Sequence, residues 1–321
     1  MPDMRVTTQP APSVVHSVIG VATFRRLAQL ADLLPLLDAA AREVSPRAAV
    51  VVIDNDPDGG ARSIVMDRPG ELYYRHEPEP GIAAARNRAL SLAVELGADV
   101  IAFIDDDERP APGWLAALID DWRRWGCAAV AGPVVPEFER PPAEWVATCG
   151  SFASREHHHG ATVAGAATSN LLLDLSQLAR ENLRFDNRFG LTGGSDSLLT
   201  RRMTALGLQI RWSCRAVVTE TVPVSRATRR WVLRRNLRTG NGWSRVALEL
   251  AGTPRRRAMT RLSLSKRALY RGAQGSLRVA AGMVTRDIGR RATGQCDLAT
   301  AGGLLLGVVG LDSTEYARPS R

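Results

Sequence analysis

Short apolar runs and longer amphipathic segments take turns along the first 135 residues. The short runs fall at residues 14–21, 48–53, 72–74 and 98–104. Between them, residues 25–44, 82–96 and 112–125 carry apolar positions every three to four residues. The first pattern predicts buried strands and the second amphipathic helices. Pro35 should interrupt the first helix, and Gly97 should stop the second. A further strand is expected at 128–135, and Asp54-Asn55-Asp56-Pro57-Asp58-Gly59-Gly60 reads as a strong turn. Alternation at this spacing predicts βαβ units and an α/β fold with a doubly wound, mostly parallel sheet. The pattern lapses from 136 to 165, then resumes with a strand near 170–173, a helix at 195–206 and strands near 209–212 and 216–219. Beyond Ser225 the chain is helical in propensity.

Composition changes this picture little. The 321 residues are 45% apolar and 23% charged, an ordinary globular mix with ample core for one large or two small domains. Cys127, Cys149, Cys214 and Cys296 lack CxxC spacing and are expected as reduced thiols. Residues 1–13 are polar, lack a signal-peptide plan and are expected as a loose tail. No run of about eighteen apolar residues predicts a membrane span; the nearest, 298–311, is short and glycine-containing.

Charge changes it more. The net +9 is concentrated: residues 226–291 hold eighteen Lys or Arg against Glu249 and Asp287, a local +16 that leaves −7 elsewhere. Such a segment suits an anionic partner, whether nucleic acid, anionic lipid or a phosphate-bearing substrate.

The sharpest chemical signal is Phe103-Ile104-Asp105-Asp106-Asp107-Glu108, four acids behind an apolar run. Crowded carboxylates repel and raise one another's pKa. Mg²⁺ and Mn²⁺ prefer carboxylate oxygens and share them with substrate phosphates. Asp105 and Asp107 therefore read as a metal and diphosphate site at the carboxyl edge of the sheet, where open α/β folds bind ligands. A solvated acidic loop opening the next helix is the plainer alternative. His157, His158 and His159 could ligate a metal, though adjacent loop histidines more often face solvent.

Four further motifs accompany it: Thr23-Phe24-Arg25; Asp54-Asn55-Asp56; Gly81 followed by Ala85-Arg86-Asn87; and Phe185-Asp186 with Thr192-Gly193-Gly194-Ser195-Asp196. In this order, over residues 17–240, the chain resembles family 2 nucleotide-sugar glycosyltransferases of the GT-A fold, in particular the bacterial succinoglycan and exopolysaccharide β-glucosyltransferase branch. The resemblance implies a catalytic domain at 14–245, with a nucleotide-binding half at 14–135 and an acceptor half at 136–245. A basic, helical C-terminal region at 246–321 follows.

The resemblance implies roles residue by residue. Thr23, Arg25, Asp54, Gly81, Arg86, Asn87, Asp105 and Asp106 would bind the nucleotide sugar. Asp54 would accept from the base, although an Asx-type turn cap suits it equally; Arg86 could instead be a structural ion-pair partner. Asp107, with Asp105 and Glu220, would hold Mg²⁺ or Mn²⁺ against the diphosphate of the leaving group. Glu220 could also be a plain strand-end charge. Asn170, Gly193 and Gly194 would line the donor sugar. Asp196 would be the general base that deprotonates the acceptor hydroxyl for an inverting displacement; a helix N-terminal charge is the structural alternative. Ser195 departs from the family pattern, which has Glu there. Arg230, Trp231 and Arg234 would meet diphosphate or acceptor, with Arg226, Arg230, Arg234 and Arg238 grouped on one helix face.

The implied function is transfer of a sugar, most simply from a UDP-sugar, to a glycan or lipid-diphosphate-linked saccharide. The implied location is cytoplasmic, peripheral on the membrane's inner face. The cationic helices of 254–291 suit an anionic membrane surface; packing on the catalytic domain is the alternative. Nucleic-acid binding is a competing reading, but the arginines are not interleaved with stacking aromatics and no reader motif occurs, so no nucleic-acid partner is expected. Sugar-nucleotide binding without turnover is the third reading, raised by Ser195.

Overall fold

A computed structural model describes residues 14–68, 70–154 and 156–311. The expected tail at 1–13 and the last ten residues of the C-terminal region lie outside these. The elements in chain order begin β1 (Ser17–Thr23), α1 (Leu27–Arg42), β2 (Ala49–Asp54), α2 (Arg62–Met66), β3 (Leu72–His76), α3 (Ile82–Glu95) and β4 (Val100–Ile104). There follow β5 (Glu108–Pro110), α4 (Trp114–Trp125), β6 (Ala129–Ala131), β7 (Val134–Phe138), α5 (Glu144–Thr148), β8 (Asn170–Asp174) and α6 (Leu175–Arg180). Last come α7 (Ser195–Ala205), β9 (Ile210–Trp212), β10 (Val218–Val222), α8 (Arg229–Leu250), α9 (Pro254–Val284) and α10 (Ile288–Val309).

Seven strands form the main sheet in the order β3-β2-β1-β4-β8-β6-β9. The β3-β2-β1-β4 half is parallel, as βαβ alternation requires. Period-two alternation sorts side chains to the two faces. Val100, Ala102 and Ile104 of β4 enter the core shared with α1 and α4. Ile101 and Phe103 enter the core beneath the alanine-rich α3. Leu30, Leu33, Leu34 and Leu37 form the buried stripe of α1, each contributing about 1.5–3 kcal/mol of burial.

Pro35 does not interrupt α1. A proline cannot donate to the carbonyl four residues back. That carbonyl, of Ala31, accepts instead from Arg68 Nη2 at 2.9 Å, so no orphan acceptor remains.

Two features depart from the expected sheet. β8 runs antiparallel between β4 and β6, so its first residue, Asn170, pairs with Ile104 at the carboxyl edge of β4. The strand expected at 128–135 is two: β6 ends in the main sheet, and after Gly132-Pro133 β7 joins a small sheet of order β5-β10-β7. A side chain at Gly132 would collide with the Ala216 carbonyl oxygen.

The last three helices pack through glycines. A Cβ at Gly240 of α8 would strike the Thr300 carbonyl of α10, and one at Gly303 would strike the Leu237 carbonyl. Gly275 and Gly294 make a similar approach between α9 and α10. α8 runs unbroken across position 245. None of the helices among the described residues is long and apolar enough to cross a membrane.

Candidate active site

A cleft of about 1530 Å³ opens over the carboxyl edge of the main sheet, lined in part by Thr23, Arg26, Asn55, Gly81, Arg86, Asn170 and the acidic turn 105–108. The turn follows β4 directly, so strand pairing fixes its position. Thr23, at the end of β1, donates its hydroxyl to Asp106 Oδ2 at 2.8 Å. Arg26 donates to Asp106 Oδ1 at 2.7 Å and lies 2.8 Å from Asp107 Oδ2. Burial pushes the Asp106 carboxyl up to about 6, against the pull of Arg26 and the Thr23 hydroxyl.

The remaining acids crowd together. Glu108 accepts from the Asp105 backbone N–H at 2.8 Å and sits opposite Glu220 in the β5–β10 register. Withdrawal from water holds Glu108 well above the carboxylate range, with Asp105, Asp107 and Glu220 adding. Burial also raises Asp105, with Arg86 opposing and Asp107 and Asp196 adding. Glu220 is raised by burial, with Arg235 opposing and Asp107 adding. Arg226 bridges Asp107 at 3.0 Å and Glu220 at 3.4 Å.

Asp54, Asn87 and Asn170 hold the frame around the cleft. Asp54 is 1% exposed and accepts from the Asp56 and Ala61 backbone N–H groups and the Tyr74 hydroxyl, which is an Asx turn closed by a tyrosine. The next residue, Asn55, faces the cleft and ties the turn to the α3 loop, donating to the Glu77 and Glu79 carbonyls and accepting from Gly81 N–H. Gly81 has φ +124° and its Cβ position lies 3.0–3.2 Å from the Gly190 backbone. Asn87 clamps the 185–187 segment, exchanging hydrogen bonds with the Phe185 backbone. Asn170 accepts from Trp114 Nε1 and donates to the Pro133 and Ala216 carbonyls. Arg25 turns away to Asp56 and Asp58, and Arg86 meets Asp105 at 3.3 Å.

An inner chamber of about 250 Å³ lies under α8, lined by Asp105, Thr192, Gly193, Gly194, Ser195 and Asp196 together with Arg235, Arg238 and Trp243. Gly193 and Gly194 have φ of +78° and +91°, conformations that favour glycine, and they deliver Asp196 to the first turn of α7. Asp196 Oδ1 accepts from Ser197 N–H at 2.6 Å. The buried Ser195 and Thr192 hydroxyls have no hydrogen-bond partner among the described residues.

The arginine helix departs from its expected face. Arg230 and Arg234 are exposed and do not line the cleft. Trp231, Arg235 and Arg238 do. Trp231 stacks on Phe152 and lies under Arg235 at 5.3 Å. Arg226 precedes α8, so the four-residue series does not begin inside the helix. The aromatic at 231, stepped by four and seven, marks the inward face. Arg26 was missed too; its signal was a second cation beside Arg25 at the end of the first strand.

Among the described residues no three His, Cys, Asp or Glu side chains form a preformed metal cage. His157 lies against Trp212 and His159 against Trp125.

Residues 18–169 match the model described as glycosyl transferase family 2. The chain is 32% identical over 241 residues to the succinoglycan biosynthesis protein ExoM of Rhizobium meliloti, spanning 74% of this chain and 77% of that one. The chain belongs to glycosyltransferase family 2. It is also 30% identical over 129 residues to the glucosyl-dolichyl phosphate glucuronosyltransferase of Haloferax volcanii, covering 36% of this chain and 40% of that protein. Among solved structures, S. aureus TarS 1–349 in complex with UDP superposes with a TM-score of 0.50 at 15% identity, over 89% of this chain and 90% of that one. That likeness carries the GT-A fold. As a family 2 enzyme the protein is a glycosyltransferase with a nucleotide-sugar donor and a glycan acceptor.

Proposed function

We propose that this family 2 enzyme moves a sugar from a UDP-sugar to a hydroxyl of a glycan or lipid-diphosphate-linked saccharide at the cytoplasmic membrane face, with inversion. Residues 14–245 would be the catalytic unit. The observation that carries the reading is that Asp196 and the Asp105–Asp107 turn line one cleft, with Asp105 and Asp196 meeting in its inner chamber, close enough that Asp196 raises Asp105.

The nucleotide would lie across Thr23, Asn55, Gly81 and Arg86, with Asp54 supporting the turn that meets the base. The donor sugar would occupy the inner chamber, where the Ser195 and Thr192 hydroxyls await partners and Gly193 and Gly194 allow close backbone approach. Asp196 would take the proton from the acceptor hydroxyl as that oxygen attacks the anomeric carbon. Arg235 and Arg238, with forked donors, would hold diphosphate oxygens of donor or acceptor.

The donor set suits Mg²⁺ or Mn²⁺. Asp105, Asp107 and Glu220 offer hard oxygens whose crowding calls for a cation, and a site completed by substrate phosphates needs only one or two protein carboxylates, so a preformed cage is not required. When bound, the cation supplies charge neutralisation at the departing diphosphate.

The test is a thermal-shift and calorimetric titration with UDP, TDP and GDP, with and without Mn²⁺, on wild type and Asp107→Ala. Metal-dependent stabilisation by one nucleotide, lost in the variant, is expected. No response to any nucleotide in the presence of metal overturns the reading.

A further inference from the structure

α9 presents two unlike faces. Leu264, Ala268, Gly275 and Gly282 are buried toward the other helices. On the opposite face stand Met259, Leu262, Leu269, Tyr270, Leu277 and Val284, exposed by 59–85%. Their steps of three, seven and eight residues keep them on one side of the helix. At 1.5 Å per residue the stripe is about 38 Å long.

Its charge is one-sided. α9 carries eight Lys or Arg and no Asp or Glu, and Arg255, Arg256 and Lys266 are exposed along the stripe. A strongly cationic helix with a long apolar stripe, interrupted by Lys266, and too little hydropathy to span is the pattern of a helix lying in a membrane interface. Arginine and lysine beside it would attract anionic headgroups.

The inward side of the same helix also reaches the active-site cleft. The cleft that begins at the acidic turn runs past Trp243 and Leu304 to Leu264 and Arg267 on α9. Arg267 and Arg271 lie 5.8 and 5.9 Å from the Trp243 ring, forming the wall between cleft and helix.

We propose that the outward face of α9 docks on an anionic lipid bilayer, which brings the α9 end of the cleft to the membrane surface, where a lipid-linked acceptor can enter. The second clause rests on the acceptor class proposed above; the docking itself does not.

The test is flotation of the full chain with phosphatidylcholine vesicles, with and without phosphatidylglycerol, at low and high salt. Wild type is compared with a Leu269→Asp/Leu277→Asp variant and a Lys266→Glu variant. Sedimentation equilibrium and UDP binding are run in parallel. The expected result is binding stronger by about tenfold or more on the anionic vesicles, weakened by salt and by Lys266→Glu, and abolished by the double variant while UDP binding stays unchanged. No vesicle binding, or equal binding to both compositions, overturns the proposal. A concentration-dependent dimer that the double variant abolishes also overturns it, since a second copy would then cover the stripe. Flotation as expected with no UDP binding by wild type would instead fault the proposed function and leave the docking standing.

Discussion

Arg226 Nη1 stands 3.0 Å from Asp107 Oδ2 and 3.4 Å from Glu220 Oε1, so one guanidinium joins the acidic turn to β10. Removing it leaves two partly buried carboxylates with one fewer partner. Arg226→Ala should lower stability by about 1–3 kcal/mol, and added Mn²⁺ should restore more of the melting temperature in the variant than in wild type. Melting curves with and without the ion check this; equal Mn²⁺ responses would contradict it.

Asp196→Asn keeps the shape of the α7 start but cannot accept a proton. Transfer should fall by about 10²–10⁴-fold with UDP binding intact, read by UDP release and by calorimetry. A variant that retains most of its rate removes Asp196 from the role of base.

Asp106 titrates at about 6 in the folded protein, above its ordinary 3.8. The folded state therefore holds this proton more tightly than the unfolded state. The contribution favours folding below about pH 4 and is lost as pH rises through 6. Relative to Asp106→Asn, wild type should lose up to about 3 kcal/mol between pH 4 and 7. Denaturant titrations of both at the two pH values measure it, and a constant difference would refute it.

Gly240 and Gly242 are neighbours in α8 with opposite surroundings. A Cβ at Gly240 would strike the Thr300 carbonyl, whereas one at Gly242 meets nothing within 4 Å. Gly240→Ala should cost about 1–3 kcal/mol or more, and Gly242→Ala should stabilise by up to about 1 kcal/mol through helix propensity. Thermal melts of the two variants separate the cases.

Much of this was legible in the chain. The apolar runs located β1, β2 and β4, since buried parallel strands carry their own signature, and the acid cluster after residue 104 fell at the sheet edge as expected. Other features depended on distant partners. Nothing local says that β8 runs antiparallel, because its five residues are buried on both faces and read alike in either direction. Asp54 was legible as either base contact or turn cap; Ala61 and Tyr74 fill its oxygens. The outward turn of Arg230 and Arg234 follows from where α8 begins, one residue after its Thr228 cap, which charge spacing alone does not reveal.

The same dependence gives the Arg68–Ala31 contact a consequence. The arginine is needed because residue 35 is a proline. With alanine at 35 the helix would supply its own donor, and loss of Arg68 would then become nearly silent. Positions 35 and 68 are thus epistatic: the penalty for changing one is set by the identity of the other, and a mutational scan in a single background would assign Arg68 an importance that belongs to the pair.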